Sequence, residues 1–297
     1  MRQFADPHAP DAAFPPPDLP ARQHLLATLS LGFQRDSNTT RLMQRAHFGP
    51  LRVQKPLYPE DPAVCHAVLV HPPGGVVGGD ELRIKAAAAK QAHAFLSTPG
   101  AAKWYRANGH VSRQLIELDV AEQAAIEWMP QETILFNGAD VIFDNRIHLA
   151  DEARYLGCEI LCFGRTASGE KFDHGRLRQN LTIYRNGKPL WLEQGCLIGG
   201  SRQMQSPLGL AGFSVCASLI AVGTAQPPAI LASLRELAQA ATGGVGKFGA
   251  TQMKSVMIVR YLGHSSEVAR QVMLQAWQVL RPALMGHQAV IPRIWNT

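Results

Sequence analysis

Apolar and polar positions alternate with a period of two through most of this chain. Segments 25–33, 41–48, 66–71, 82–86, 111–118, 141–149 and 155–163 all follow that rhythm. Period two sends successive side chains to opposite faces of an extended backbone, so these segments are expected to be β-strands. Gly, Pro and Asn separate them at roughly ten-residue intervals, which favours a large antiparallel β architecture. The sharpest local signal is Leu177, Leu181 and Ile183, then Arg185-Asn186-Gly187-Lys188, then Leu190 and Leu192. Asn-Gly tolerates positive φ at both central turn positions, so a two-residue hairpin is expected there.

Only two stretches carry a helical period. Segment 228–241 places Leu231, Leu234, Leu237, Ala238 and Ala241 on one face, and 266–280 does the same with Val268, Val272, Ala276, Val279 and Leu280. Arg281-Pro282 is expected to end the second helix, and 256–262 between the two reads as a strand. Residues 1–22 are rich in proline and poor in large apolar residues, and are expected to be a disordered tail. No linker-like change of composition divides the remainder, so 23–297 reads as one domain.

Composition adds a substantial core, with 46% apolar and 18% charged residues. The net charge of +6 suits either a generally basic surface or a face for an acidic protein partner. No Lys/Arg-rich run or interleaving with aromatics points to nucleic acid. The N-terminus lacks the apolar core of a secretory signal, and the longest uncharged apolar stretch, 208–223, is short and broken by glycine. A cytoplasmic setting without a membrane partner is expected. Cys65, Cys158, Cys162, Cys196 and Cys216 are odd in number and dispersed, which suits buried thiols. Strand alternation puts Cys158 and Cys162 on one face, too far apart to share a metal.

The most informative segment follows the strand ending at His71. Pro72 and Pro73 fix φ and remove two amide donors, Gly74, Gly75, Gly78 and Gly79 widen the accessible backbone, and Asp80 closes the loop. No pair of these glycines has the dinucleotide-binding spacing, and the glycine-rich 242–248 lacks the phosphate-loop pattern at Ala241 and Phe248. A second loop places Lys103, Tyr105 and Arg106 together after a Pro-Gly turn, either as a half-exposed strand or as the polar wall of a cavity or interface. No hydrolase or paired-cysteine motif is present. Candidate metal contacts are His66, His71, Asp80, Glu81, Glu170, Asp173 and His174, a scattered set suited to weak transient contact. Asp80 and Glu170 each follow a glycine in a loop, and are expected to line a route for a divalent ion.

The blocks His71–Asp80, Thr98–Arg106, Glu127–Phe136 and Leu280-Arg-Pro, with the terminal Pro292-Arg-Ile-Trp-Asn-Thr297, resemble the UreD (UreH) family of urease accessory proteins. Ala102 and Trp104 depart mildly from residues common there. The resemblance implies a mainly β fold of helix-like stacked sheets with two α-helices in the C-terminal quarter. It also implies a non-enzymatic scaffold that binds the urease apoprotein with UreF and the GTPase UreG. Nickel(II) would pass transiently toward urease, with no tightly bound cofactor.

Overall fold

The computed structural model describes residues 24–242 and 246–296, the side chains of 238–242 excepted. The expectation for residues 1–22, and the places of Ala238 and Ala241, lie outside that description. Strands dominate, as the alternation predicts. In chain order they are β1 (Leu26–Asp36), β2 (Thr39–Phe48), β3 (Arg52–Val53), β4 (Val64–Val70), β5 (Glu81–Ala88), β6 (His93–Ser97), β7 (Ala102–Trp104), β8 (Ser112–Val120) and β9 (Ala125–Met129). There follow β10 (Thr133–Leu135), β11 (Asp140–Leu149), β12 (Arg154–Phe163), β13 (Arg176–Arg185), β14 (Lys188–Ile198), the short helix α1 (Arg202–Gln205) and β15 (Val215–Val222). The chain closes with α2 (Pro228–Thr242), β16 (Lys247–Met253), β17 (Val256–Gly263) and α3 (Ser266–Met285). No helix among the described residues is long and apolar enough to cross a membrane.

Two sheets stack face to face. The first has the order β14-β13-β11-β8-β5-β1-β2, the second β16-β17-β15-β12-β9-β6-β4-β3, with β7 and β10 extending the second beside β12. From β5 to β13 the longer strands alternate between the sheets, with the short β7 and β10 following β6 and β9 in the second, so each longer strand lies parallel to its predecessor in the same sheet. The result is a β-solenoid-like stack, as the resemblance implied. The antiparallel pairing expected from strand spacing is confined to its margins, in β1–β2, β3–β4, β13–β14 and β12–β15–β17–β16. A hairpin turn and a solenoid corner share the same local period and spacing; only the destination of the next strand separates them. The Asn186-Gly187 hairpin is present, with φ of 51° and 72° at its two central residues.

A short repeat marks the coil. One set of corners reads Ala89-Lys-Gln-Ala92, Ala121-Glu-Gln-Ala124 and Ala150-Asp-Glu-Ala153. The third residue of each has positive φ: Gln91 62°, Gln123 58° and Glu152 54°. The fourth residue's amide N–H returns to the first residue's carbonyl at 2.9, 3.1 and 3.2 Å, and its methyl is fully buried. Side chains stack corner on corner: Gln91 Nε2 donates to Gln123 Oε1 at 3.2 Å, and Gln123 Nε2 to Glu152 Oε2 at 2.9 Å. These partners lie 32 and 29 residues apart, which is the length of one coil.

α2 and α3 cover the outer face of the second sheet. Leu234, Val272, Met273, Trp277 and Leu280 pack there on Phe95, Leu156, Leu219 and Val259. Ser265 caps α3, its hydroxyl accepting from the Val268 amide at 3.2 Å. The helix does not end at Arg281-Pro282 as expected. It runs through Pro282 to Gly286, whose amide donates to Pro282 O. A proline removes one helical hydrogen bond, but here the tertiary contacts of Arg281 override the local break. Arg281 is fully buried between two carboxylates. Its Nε donates to Glu127 at 2.9 and 3.1 Å, while Nη1 and Nη2 reach Glu60 at 2.9 and 2.7 Å. Trp277 Nε1 donates to Glu127 Oε2 at 2.7 Å, and His93 Nε2 and His66 Nε2 lie 2.8 Å and 2.6 Å from Glu127 and Glu60.

Burial alone would raise the Glu127 pKa, but His93, Arg281 and Trp277 outweigh it and hold the carboxyl at about 2. Its contribution to stability is therefore complete above the ordinary carboxylate range and is lost as pH falls through about 2. Replacing Arg281 by Met leaves two buried carboxylates without their cation, and should lower the unfolding free energy by about 3–5 kcal/mol. Equilibrium denaturation measures this; a loss below about 1 kcal/mol, the scale of an exposed pair, would show that the network carries little.

Candidate functional site, an internal lumen

The loops joining the second sheet to the first stack at one side of the solenoid. Val76, inside the 71–80 loop, exchanges backbone hydrogen bonds with Lys103 O and Tyr105 N at 2.8 Å each. β7 in turn pairs with β10, and β10 with β12, so the glycine-rich loop extends the second sheet by one residue. Pro72 and Pro73 are exposed at its tip. Two of the four glycines have positive φ, Gly74 at 74° and Gly79 at 91°. Gly75 and Gly78 serve close approach instead: a Cβ on Gly78 would lie 1.8 Å from Ala107 O, and one on Gly75 would enter the Tyr105 ring.

Asp80 is buried as the anchor of this loop. Its Oδ1 accepts from the Leu25 amide at 3.1 Å and its Oδ2 from the Val77 amide at 3.2 Å. Glu170 holds a later loop in the same manner, accepting from the Asn137 amide at 2.5 Å and from Arg165 Nε at 2.7 Å. Burial opposes ionisation of Glu170, but the Asn137 amide and Arg165 prevail and lower its pKa. Between these anchors Tyr105 meets Phe136 edge-on at 4.7 Å, and the Arg165 guanidinium lies 4.4 Å over the Phe136 ring. Lys103 and Arg106 are exposed, with Arg106 alongside Gly138.

The seven candidate metal contacts do not converge. His66 belongs to the Glu60–Arg281 network, Glu81 pairs with Arg83, and Asp173 and His174 are exposed. Asp80 and Glu170 sit in the loop stack, where unpaired amides need acceptors, and neither borders the interior cavity. His71 does. Outside the sequence-derived set, Glu117, Asp119 and His148 present ligand atoms within 4.8 Å of one another on the outer face of the first sheet. Lys85 already sits there, 2.9 Å from Glu117 and 3.5 Å from Asp119.

The feature with chemical capacity lies between the sheets. A cavity of about 770 Å³ runs along the solenoid from Leu51 and His71 to β14, β16 and β17. Much of its wall is apolar, but a polar belt crosses it. Glu159, Ser218 and Arg260 stand side by side on β12, β15 and β17. From the facing sheet Gln179 Nε2 donates to Glu159 Oε2 at 2.7 Å, and Glu193 pairs with Arg260. His71 Nε2, Gln131 Nε2 and Asn145 Oδ1 also border the lumen and have no hydrogen-bond partner among the described residues. Burial raises the Glu159 pKa, Gln179 opposes and Glu193 adds, leaving it at about 7. Sequence reasoning missed Glu159, although a lone carboxylate inside the apolar run 156–163 was a visible signal.

The fold is thus a β-solenoid-like stack with a polar-belted cavity between its sheets. Comparison with known proteins places this architecture in a family. The family described as UreD urease accessory protein matches residues 26–296. The UreD protein of Janthinobacterium sp. (strain Marseille) is 61% identical over 271 residues, 91% of each chain. That of Nitrosospira multiformis is 48% identical over 280 residues, 94% of this chain and 99% of its own. The chain belongs to the UreD family of urease accessory proteins. Its role lies in urease maturation, and membership implies a non-catalytic one.

Two measurements test this geometry. Gly78→Ala forces a backbone shift, whereas Gly74→Ala meets open space and costs only the left-handed backbone, about 1–2 kcal/mol. Thermal melts should therefore rank Gly78→Ala below Gly74→Ala; equal melting temperatures would show that the approach to Ala107 is not restrictive. For Glu159, a folded pKa raised to about 7 means that stability present below its ordinary range is lost as pH rises through 7. Glu159→Gln removes that loss, so its melting temperature relative to wild type should be higher at pH 8 than at pH 5. A constant difference would refute the assigned burial.

Proposed function

We propose that the protein is a urease-maturation scaffold that binds the urease apoprotein with UreF and UreG and lets nickel(II) pass through its lumen. GTP hydrolysis on UreG would supply direction, by contacts that differ between two conformations of the complex. In this reading the chain turns over no substrate and keeps no tightly bound cofactor; nickel is cargo. Its setting is the cytoplasm, and neither nucleic acid nor membrane takes part.

The lumen is the observation that supports this reading most. A passage must hold each ion weakly enough to release it, so isolated oxygen donors serve better than a closed cage of His and Cys. Glu159, Gln179, Asn145 and Ser218 supply such oxygens along the cavity. Burial pushes the bordering Cys216 thiol up to about 12, so at neutral pH it is not the thiolate that would trap a borderline ion.

Cells lacking the gene should accumulate urease subunits that are poor in nickel. At limiting nickel, Glu159→Ala should reduce urease activity and nickel content several-fold while UreF and UreG remain bound. Asp80→Ala and Glu170→Ala should act through lower melting temperature or lost partner capture, because each cuts a loop anchor. Wild-type activation by Glu159→Ala would exclude the lumen as the route. Nickel-replete urease in the deletion strain would remove the role itself.

A further inference from the structure

β2 closes one margin of the first sheet, and much of its outer edge is open. β1 pairs with one side of it from Thr28↔Phe48 to Asp36↔Thr39. On the other side, among the described residues, cover lies near its start: the Thr40 amide donates to Pro62 O, the Thr40 carbonyl accepts from Tyr58 Oη at 2.8 Å, and Cys65 meets the Leu42 backbone. From Met43 to Phe48 every residue is exposed, with Met43 at 61% and Phe48 at 64%. An unpaired edge of this length is a template for another strand.

Charge narrows what that strand can be. Between Ser37 and Pro59 the chain carries Arg41, Arg45, Arg52, Lys55 and His47 and no Asp or Glu. Arg41 pairs with Asp36, whereas Arg45, His47 and Lys55 form no ion pair among the described residues. The register sets Arg45 opposite Leu31 and His47 opposite Leu29, both core residues. Residues directly opposite share a face. Arg45 and His47 therefore lie on the inward face, past the end of the packed core. Inward charge on an edge discourages pairing with a second copy of the same strand, because like charges would meet. The same charge matches an acidic strand.

We propose that Met43–Phe48 is a docking strand that accepts an extended acidic segment of a partner polypeptide by β-augmentation. Backbone hydrogen bonds supply the affinity, Arg45 and His47 meet carboxylates, and Met43 and Phe48 meet apolar side chains on the added strand. This surface is independent of the metal route, and it stands or falls without it.

A short fluorescein-labelled peptide of alternating Glu and Val, with a Lys/Val counterpart, tests the site on the full chain by fluorescence anisotropy. The Glu/Val peptide should bind, weaken with added salt, and protect residues 43–48 from hydrogen exchange. Arg45→Glu combined with His47→Glu should lower its affinity roughly tenfold or more, while Arg45→Lys with His47→Lys retains it. Both pairs are exposed, and circular dichroism checks that they fold. Binding of the Lys/Val peptide to the same extent, indifference to the Glu substitutions, or protection elsewhere would overturn the proposal. So would absence of binding, displacement of the peptide by duplex DNA or anionic vesicles, or a dimer in sedimentation that Arg45→Glu abolishes.

Discussion

One buried guanidinium joins parts of the chain that lie far apart in sequence. Arg281 sits near the end of α3, Glu127 in the middle of β9, and Glu60 in the connection before β4, 154 and 221 residues away. Desolvating these charges is unfavourable for each alone, and the geometry compensates only when all are present. The network thus acts as a register pin. It fixes the helix layer against the second sheet, carries α3 through Pro282, and brings the 57–63 segment against the sheet margin. The aromatic group of Phe95, Trp277 and Trp295, with ring centroids 5.7–6.3 Å apart, packs around it.

With that face sealed, the two sheets are free to differ in packing on their inner side. Near the corners the interior is dense, with alanines at every return. Toward β13–β17 larger polar residues stand across from one another, and the sheets enclose space. Buried polar groups are unfavourable unless they satisfy one another; Gln179 does so for Glu159, whereas Glu193 and Arg260 pair at the exposed end of the cavity. The unpaired His71, Gln131 and Asn145 atoms show that satisfaction is incomplete. A well-packed apolar interior would be more stable and would leave no cavity.

Much was legible beforehand. Period-two segments became strands within a few residues of their expected bounds, Asn186-Gly187 became the hairpin, and the two helical stretches became α2 and α3. The family blocks at 71–80 and 98–106 proved to be neighbours in one loop stack, although their spacing along the chain gave no hint of contact. The carboxylates chosen there, Asp80 and Glu170, were read as ligands because glycine precedes them; the structure uses them to accept loop amides. Glu127 and Glu159 were the more telling acids. Each interrupts an apolar strand, where a charge must find a partner or change its protonation.

Alternation and turn chemistry by themselves determined that this protein is built of strands, because side-chain direction and positive φ are local properties. Family blocks determined its place in urease maturation, since they are matched residue by residue. Strand direction, the lumen and the Arg281 network were decided only in three dimensions. Each depends on which distant segments become neighbours. A corner that crosses to the other sheet looks, within ten residues or so, like one that turns back. The tertiary structure made that choice through the similar length of successive coils and the buried charges that pin their register.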